Sequence, residues 1–291
     1  MVREIEAKTI LGTVKQGEFN IFGLKYNMNL YRGCQHACIY CDSRSKCYQL
    51  GDLSDIRVKQ NALELLEKEL KSKRTKGTIG FGAMNDPYMP VEKTCLFTKR
   101  ALEIIVNIKY PVHIITKSNL VVRDIDLLKE ISKTYAAISL TITTFDDVLC
   151  SKVEPFAPVS SVRFEALKKL SEAGIYCGVC LMPVLPYIND TLDNIRNIVV
   201  KAKESGASYI LGFMGMTLRE GQREHYYKEL DKKFPGLKEK YITTYGERYS
   251  AEVPNFRELQ SVFYSTCKKV GINTSMDFYK PKKTEQLQIN F

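Results

Sequence analysis

Tyr31-Arg32-Gly33-Cys34-Gln35-His36-Ala37-Cys38-Ile39-Tyr40-Cys41 places three cysteines in the spacing C-x3-C-x2-C, with a tyrosine directly before the last. A [4Fe–4S] cubane normally takes four thiolates. Three from one short loop leave the fourth iron open to a ligand that is not protein. The competing reading is a zinc site, or three ordinary buried cysteines. Zinc sites are usually built from two C-x2-C pairs or from Cys/His pairs. Here Cys38 and Cys41 make one pair, Cys34 is an extra, and no comparable second pair follows. His36 is a candidate fourth zinc ligand, but it sits inside the three-residue spacer, where joint tetrahedral ligation with its neighbours is awkward. The spacing favours the cluster.

Outward from this loop, strand-like apolar runs alternate with amphipathic helical stretches. Strands are expected over 27–32, 78–84, 112–117, 136–143, 176–184 and 209–214, and helices over 58–73, 95–107, 124–133, 160–173 and 191–205. Val162, Ala166, Leu167 and Leu170 recur with helical period, as do Leu192, Ile195, Val199 and Ala202. Gly174 and Gly206 stand where those two helices should end. Such alternation implies a parallel sheet with right-handed crossovers. A partial βα barrel and a doubly wound open sheet both satisfy it. In either, a cysteine loop directly after the first strand lies at the C-terminal ends of the strands, where these sheets carry their chemistry. After about Pro235 the alternation fades, so residues 1–235 read as the core and 236–291 as an extension packed on it.

The chain has 291 residues, nine cysteines not laid out as a disulfide framework, and a net charge of +10. That cysteine usage suits a reducing compartment. No stretch has the character of a signal peptide or the length of a membrane span, so the expectation is a cytoplasmic protein with no membrane partner. The charge points to an anionic partner such as nucleic acid. The basic residues are nevertheless spread along the chain, and runs such as 71–76 and 280–283 also fit a solvated surface.

Four segments together resemble the spore photoproduct lyase-like family of the radical S-adenosylmethionine (SAM) superfamily. They are Asn29 through Cys41, Asn85-Asp86-Pro87-Tyr88-Met89-Pro90-Val91-Glu92, Thr116-Lys117-Ser118-Asn119-Leu120-Val121-Val122-Arg123-Asp124, and Glu154-Pro155-Phe156-Ala157-Pro158 followed by Arg163. The resemblance implies a partial (βα)6 barrel with a C-terminal extension. It also implies a [4Fe–4S] cluster on Cys34, Cys38 and Cys41 with SAM chelated at the open iron, and a reducing partner such as flavodoxin or ferredoxin. By the same resemblance Tyr40 lies near the adenine, Asn85 near the methionyl amino group, and Lys117 at the SAM carboxylate. Thr141 faces the ribose and the backbone of Met182 the adenine edge. Plainer readings stand beside these: a surface or capping lysine, a β-branched strand residue, a turn at Asn85-Asp86-Pro87, and for Arg163 either the SAM carboxylate or a nearby acid.

One departure matters. Spore photoproduct lyases carry a hydrogen-donating cysteine where this chain aligns Ala83, so the repair reaction in that form is not expected. Cys47 and Tyr88 are the catalytic candidates in its place, with Tyr187 and the Tyr226-Tyr227 pair as weaker radical relays. Cys177 and Cys180, three apart on a strand, should face opposite sides of the sheet. Cys95, Cys150 and Cys267 read as small core residues. The terminal Gln286-Leu287-Gln288-Ile289-Asn290-Phe291 resembles a sliding-clamp docking peptide, though a tail that packs on its own barrel also fits. The leading expectation is hydrogen abstraction from a nucleic acid or other anionic molecule. The alternatives are a radical enzyme of peptides or small metabolites, and a non-catalytic zinc-stabilised nucleic-acid-binding protein.

Overall fold

The computed structural model describes residues 2–15, 17 and 20–281. Its central sheet has seven strands: β1 Leu11–Thr13, β2 Leu24–Met28, β3 Thr78–Phe81, β4 Val112–Thr116, β5 Ala136–Thr141, β6 Tyr176–Leu181 and β7 Tyr209–Gly212. They lie in the order β7-β6-β5-β4-β3-β2-β1. Every neighbouring pair from β2 to β7 is parallel, while β1 runs antiparallel on the edge. The longer crossover helices are α1 Ala62–Ser72, α2 Phe97–Ile108, α3 Ile125–Ser132, α4 Asp147–Val153, α5 Ser160–Glu172 and α6 Leu192–Glu204. Six parallel strands with intervening helices make the partial (βα)6 barrel expected from the sequence.

One face of the strands meets the helices. Ile79, Phe81, Ile114, Ile138, Leu140, Val179 and Ile210 form a single core with Leu66, Leu102, Leu128, Leu167 and Ile195. Alternation turns His113, Ser139, Cys180 and Tyr209 to the other, concave face. There the His113 ring nitrogen Nε2 lies 2.8 Å from Ser139 Oγ, which lies 2.7 Å from the Tyr209 hydroxyl. Cys177 faces the helices, its thiol 3.8 Å from the Leu167 carbonyl.

The structure corrects several boundaries. The expected strand 27–32 is two strands: β2 ends at Met28, and Tyr31–Arg32 pairs instead with Arg57–Lys59, which pairs in turn with Arg3–Ile5. The cysteine loop therefore leaves from a separate three-stranded sheet. Arg57–Lys59 occupies what read as the start of a helix, and α1 begins at Ala62. On α5, Val162 is 36% exposed and Arg163 holds the buried position beside it.

After β7 the strand Gly215–Thr217 pairs antiparallel with Ser250–Glu252, enclosing α7 Gln222–Lys233 and α8 Leu237–Tyr245. The next helix, α9 Phe256–Val270, returns to pack on α6 and sends Leu259, Phe263 and Cys267 into the main core. Among the described residues no helix is long and apolar enough to cross a membrane. The segment Gln286–Phe291, read as a docking peptide, lies outside the described residues.

Candidate functional site

A cavity of about 310 Å³ opens at the C-terminal ends of the parallel strands. Cys34, Cys38 and Cys41 all line it as free thiols. The ends of the strands supply the rest: Asn85 and Asp86 after β3, Lys117 after β4, Thr141 on β5, Met182 after β6 and Phe213 after β7. The hairpin beyond adds Met216, Thr217 and Gln222. Gly82 is needed where β3 ends: its φ is +92°, and a Cβ there would collide with the Ile115 carbonyl.

The cysteine loop is held from three sides. Gly33 turns it at φ +85°, where a Cβ would meet the Leu53 carbonyl at 2.8 Å. Cys34 N–H donates to that same carbonyl at 2.8 Å, and Ile39 N–H donates to the Val153 carbonyl at 3.0 Å. His36, the residue that spacing alone offers as a fourth ligand, is committed elsewhere. Its Nε2 lies 3.1 Å from Asp86 Oδ2 and its Nδ1 3.3 Å from the Phe156 carbonyl. Asp86 also accepts from Thr116 Oγ1 at 2.6 Å, Lys117 N at 2.7 Å and Tyr88 N at 2.9 Å. Burial would raise its carboxyl, but the His36 ring and these hydrogen bonds outweigh burial and hold it down at about 2. One carboxylate thus ties the cysteine loop to the ends of β3 and β4.

The donor set fits an iron–sulfur cluster. Burial pushes the Cys34 thiol up to about 12 and the Cys38 thiol well above its ordinary value. Thiolates in such a place need a bound cation to exist. Among the described residues no three His, Cys, Asp or Glu side chains converge as a single ion would require. A cubane asks instead that each thiolate meet a different iron.

Tyr40 lines the cavity, and its hydroxyl donates to the buried carboxylate of Glu154. Behind it lies Arg163, which does not line the cavity. Its Nη2 pairs with Glu154, Nη1 donates to the Thr141 carbonyl at 2.8 Å, and Nε donates to the Pro158 carbonyl at 2.7 Å. Of the two readings the sequence left open for Arg163, the nearby acid is the one the geometry realises. Its guanidinium is fully enclosed by protein partners and supports Tyr40 through Glu154. Lys117 is half-buried, with Nζ 5.7 Å from the centre of the Tyr40 ring. Burial opposes its charge, yet Cys38 and Glu154 together raise its pKa. Asn85 donates Nδ2 to the Tyr31 carbonyl at 2.6 Å, so its Oδ1 is the atom left for the cavity. Thr141, Met182 and Ala83 also line the cavity.

Cys47 and Tyr88 are not brought together with these residues. Cys47 is exposed, with its sulfur 3.8 Å from Arg219 Nη1. Tyr88 is fully buried behind the loop, its ring 5.8 Å from the Arg123 guanidinium, beside Asp124. The segment Pro87 to Glu92 is architectural: Glu92 accepts from Thr98 N at 2.9 Å and Arg123 Nη2 at 2.8 Å, and from the Tyr31 hydroxyl. Sequence reasoning passed over the Asp86–His36 pair, although both residues lay within the quoted motifs. It also passed over Asp42, Tyr48, Thr217 and Gln222, which no local pattern marks.

A family model described as the Radical SAM superfamily matches residues 28–199. An uncharacterized protein of Methanocaldococcus jannaschii is 34% identical over 229 residues, 78% of this chain and 82% of that protein. A radical SAM Nα-GlyT isomerase of a Pseudomonas phage is 26% identical over 178 residues, 61% of this chain and 36% of that protein. Among solved structures, a spore photoproduct lyase complexed with dinucleoside spore photoproduct is 16% identical with a TM-score of 0.66, covering 92% of this chain and 78% of that one. A variant of that lyase with bound SAM gives a TM-score of 0.65 at 16% identity, covering 92% and 79%.

Proposed function

Because the chain belongs to the radical SAM superfamily, and so is an enzyme that works with a [4Fe–4S] cluster and SAM, we propose that it abstracts hydrogen from an anionic substrate, nucleic acid foremost, admitted to the cavity above the cysteine loop. The observation that carries this reading is the convergence of Cys34, Cys38 and Cys41 with Asn85, Lys117, Thr141 and Met182 on one cavity. Cluster and SAM, when bound and given one electron by a reductant, supply a 5′-deoxyadenosyl radical.

The chain's own residues hold and orient these groups. Cys34, Cys38 and Cys41 would hold the cluster. The Lys117 ammonium balances the SAM carboxylate in a partly dry pocket, where charge-assisted pairing is strong. Asn85 offers Oδ1 to the amino group, since its Nδ2 is already committed. Tyr40 presents its ring to the adenine while Glu154 fixes its hydroxyl. Thr141 and the Met182 backbone line the nucleoside side. Ala83, at the family's thiol position, has no weak S–H bond from which to return a hydrogen atom to a substrate radical, which separates this chain from lesion repair in that form. The net charge of +10 supports an anionic substrate.

Anaerobic reconstitution, reduction and addition of SAM should give a cluster spin signal that SAM alters, and 5′-deoxyadenosine. Following deuterium from labelled oligonucleotides, peptides and small anions into that product identifies the substrate. Label arriving only from peptides or neutral metabolites would overturn the anionic assignment.

A further inference from the structure

The family match ends at residue 199, yet the cavity wall continues with Thr217 and Gln222, on the hairpin and helix that follow β7. Gln222 is 1% exposed. Its Nε2 donates to the Tyr40 carbonyl at 2.8 Å. Its Oε1 accepts from Thr217 Oγ1 at 2.9 Å and from Arg219 N at 3.2 Å. Thr217 Oγ1 also lies 2.8 Å from Asp42 Oδ1. The two residues that flank Cys41 are therefore both fastened to the same late segment, Tyr40 through its carbonyl and Asp42 through its carboxylate. A second tie runs outside these: Lys46 N–H donates to the Glu220 carbonyl at 2.9 Å.

We propose that Gln222 is a positioning residue for the third cluster ligand, fixing the peptide between Tyr40 and Cys41 from outside the part of the chain that carries the cysteines. This rests on the radical SAM reading of the cavity. The other fixed points of Cys41 are local: its N–H reaches back to the Cys38 carbonyl at 3.3 Å and its carbonyl accepts from Arg44 N–H at 3.2 Å. Cys34 and Ile39, by contrast, are tied directly to Leu53 and Val153. Without Gln222 the Tyr40–Cys41 peptide can rotate, and the sulfur of Cys41 with it. Ligand geometry and the seat of the Tyr40 ring would then vary from molecule to molecule.

The test uses two variants of the full chain. Gln222→Glu keeps the shape and the acceptor toward Thr217 and Arg219 but removes the donor to Tyr40. Gln222→Ala removes both. Iron release from the reconstituted protein to a chelator should be roughly fivefold to tenfold faster in both variants, as the loss of one buried hydrogen bond implies. The spin signal of the reduced cluster should broaden, and its change on adding SAM should be weaker. If Gln222→Glu releases iron and gives spectra like the parent while Gln222→Ala does not, Gln222 only fills space and the proposal is overturned. Metal-free protein supplies a readout that does not depend on the cluster: amide exchange over residues 39–44 should quicken in Gln222→Glu by more than exchange elsewhere in the chain. Unchanged exchange there also overturns it. A parent chain that takes up no cluster would refute the reading of the cavity instead, which the exchange measurement distinguishes.

Discussion

Glu154 is the residue on which most of the site's electrostatics converge. It is fully buried, receives the Tyr40 hydroxyl, pairs with Arg163, and attracts Lys117. Glu154→Gln would leave the Arg163 guanidinium buried without its counter-charge, a loss of about 3–5 kcal/mol. Urea unfolding should show that drop, and equilibrium binding of SAM to the reconstituted protein should weaken as Tyr40 loses its tether. Lys117→Met should weaken SAM binding with little change in unfolding free energy. His113 gives a pH signature. Burial lowers its pKa to about 3, so between that value and the ordinary 6.5 the unfolded chain holds more protons than the folded one. Stability is therefore full above the unfolded value and falls as the solution is acidified. Replacing His113 by Asn should flatten the acid-side slope of unfolding free energy. At this scale the sequence was legible where chemistry imposes a spacing, as in the three cysteines. The Arg163–Glu154 partnership and the remoteness of Tyr88 depend on how helices and loops fold back, which spacing does not encode.

At the scale of elements, the apolar periodicity located the parallel strands from β3 to β7 and the helices α1, α2, α3, α5 and α6, but not α4. It failed between Asn27 and Arg32, where the chain changes sheets at Asn29 and Leu30 and the apolar phase slips by one residue, Leu30 and Tyr31 both being buried. Both sheets use the same two-residue period, so that single slip reads as an irregularity within one strand. Arg57–Lys59 was absorbed into a helix for a similar reason: Val58 continues the helical series that Ala62, Leu66 and Leu70 define. Helix ends were better marked. Thr191 Oγ1 accepts from Asn194 N at 3.2 Å at the start of α6, and Thr191→Ala should cost about 1 kcal/mol in thermal or urea unfolding. Gly82→Ala should be far more damaging, because β3 and β4 would have to part beside the cavity. A lower melting temperature together with poor cluster retention is the expected result.

For the whole molecule, the division at 235 has a direct test. α9 lies beyond it, and Leu259, Phe263 and Cys267 belong to the main core. A chain ending at Pro235 should lack a cooperative melting transition, since α6 would lose the helix that covers it. Loss of cooperativity by calorimetry would place 236–281 within the folding unit. Periodicity gave only an extension packed on the core, because α9 follows a detour through α7, α8 and a hairpin and is not the segment next in line after β7. The small sheet that launches the cysteine loop has the opposite character. Its strands Arg3–Ile5, Tyr31–Arg32 and Arg57–Lys59 all come from the first 59 of 291 residues. On the ribosome that cradle can close while most of the barrel is still unmade, and the wall bearing Thr217 and Gln222 emerges much later.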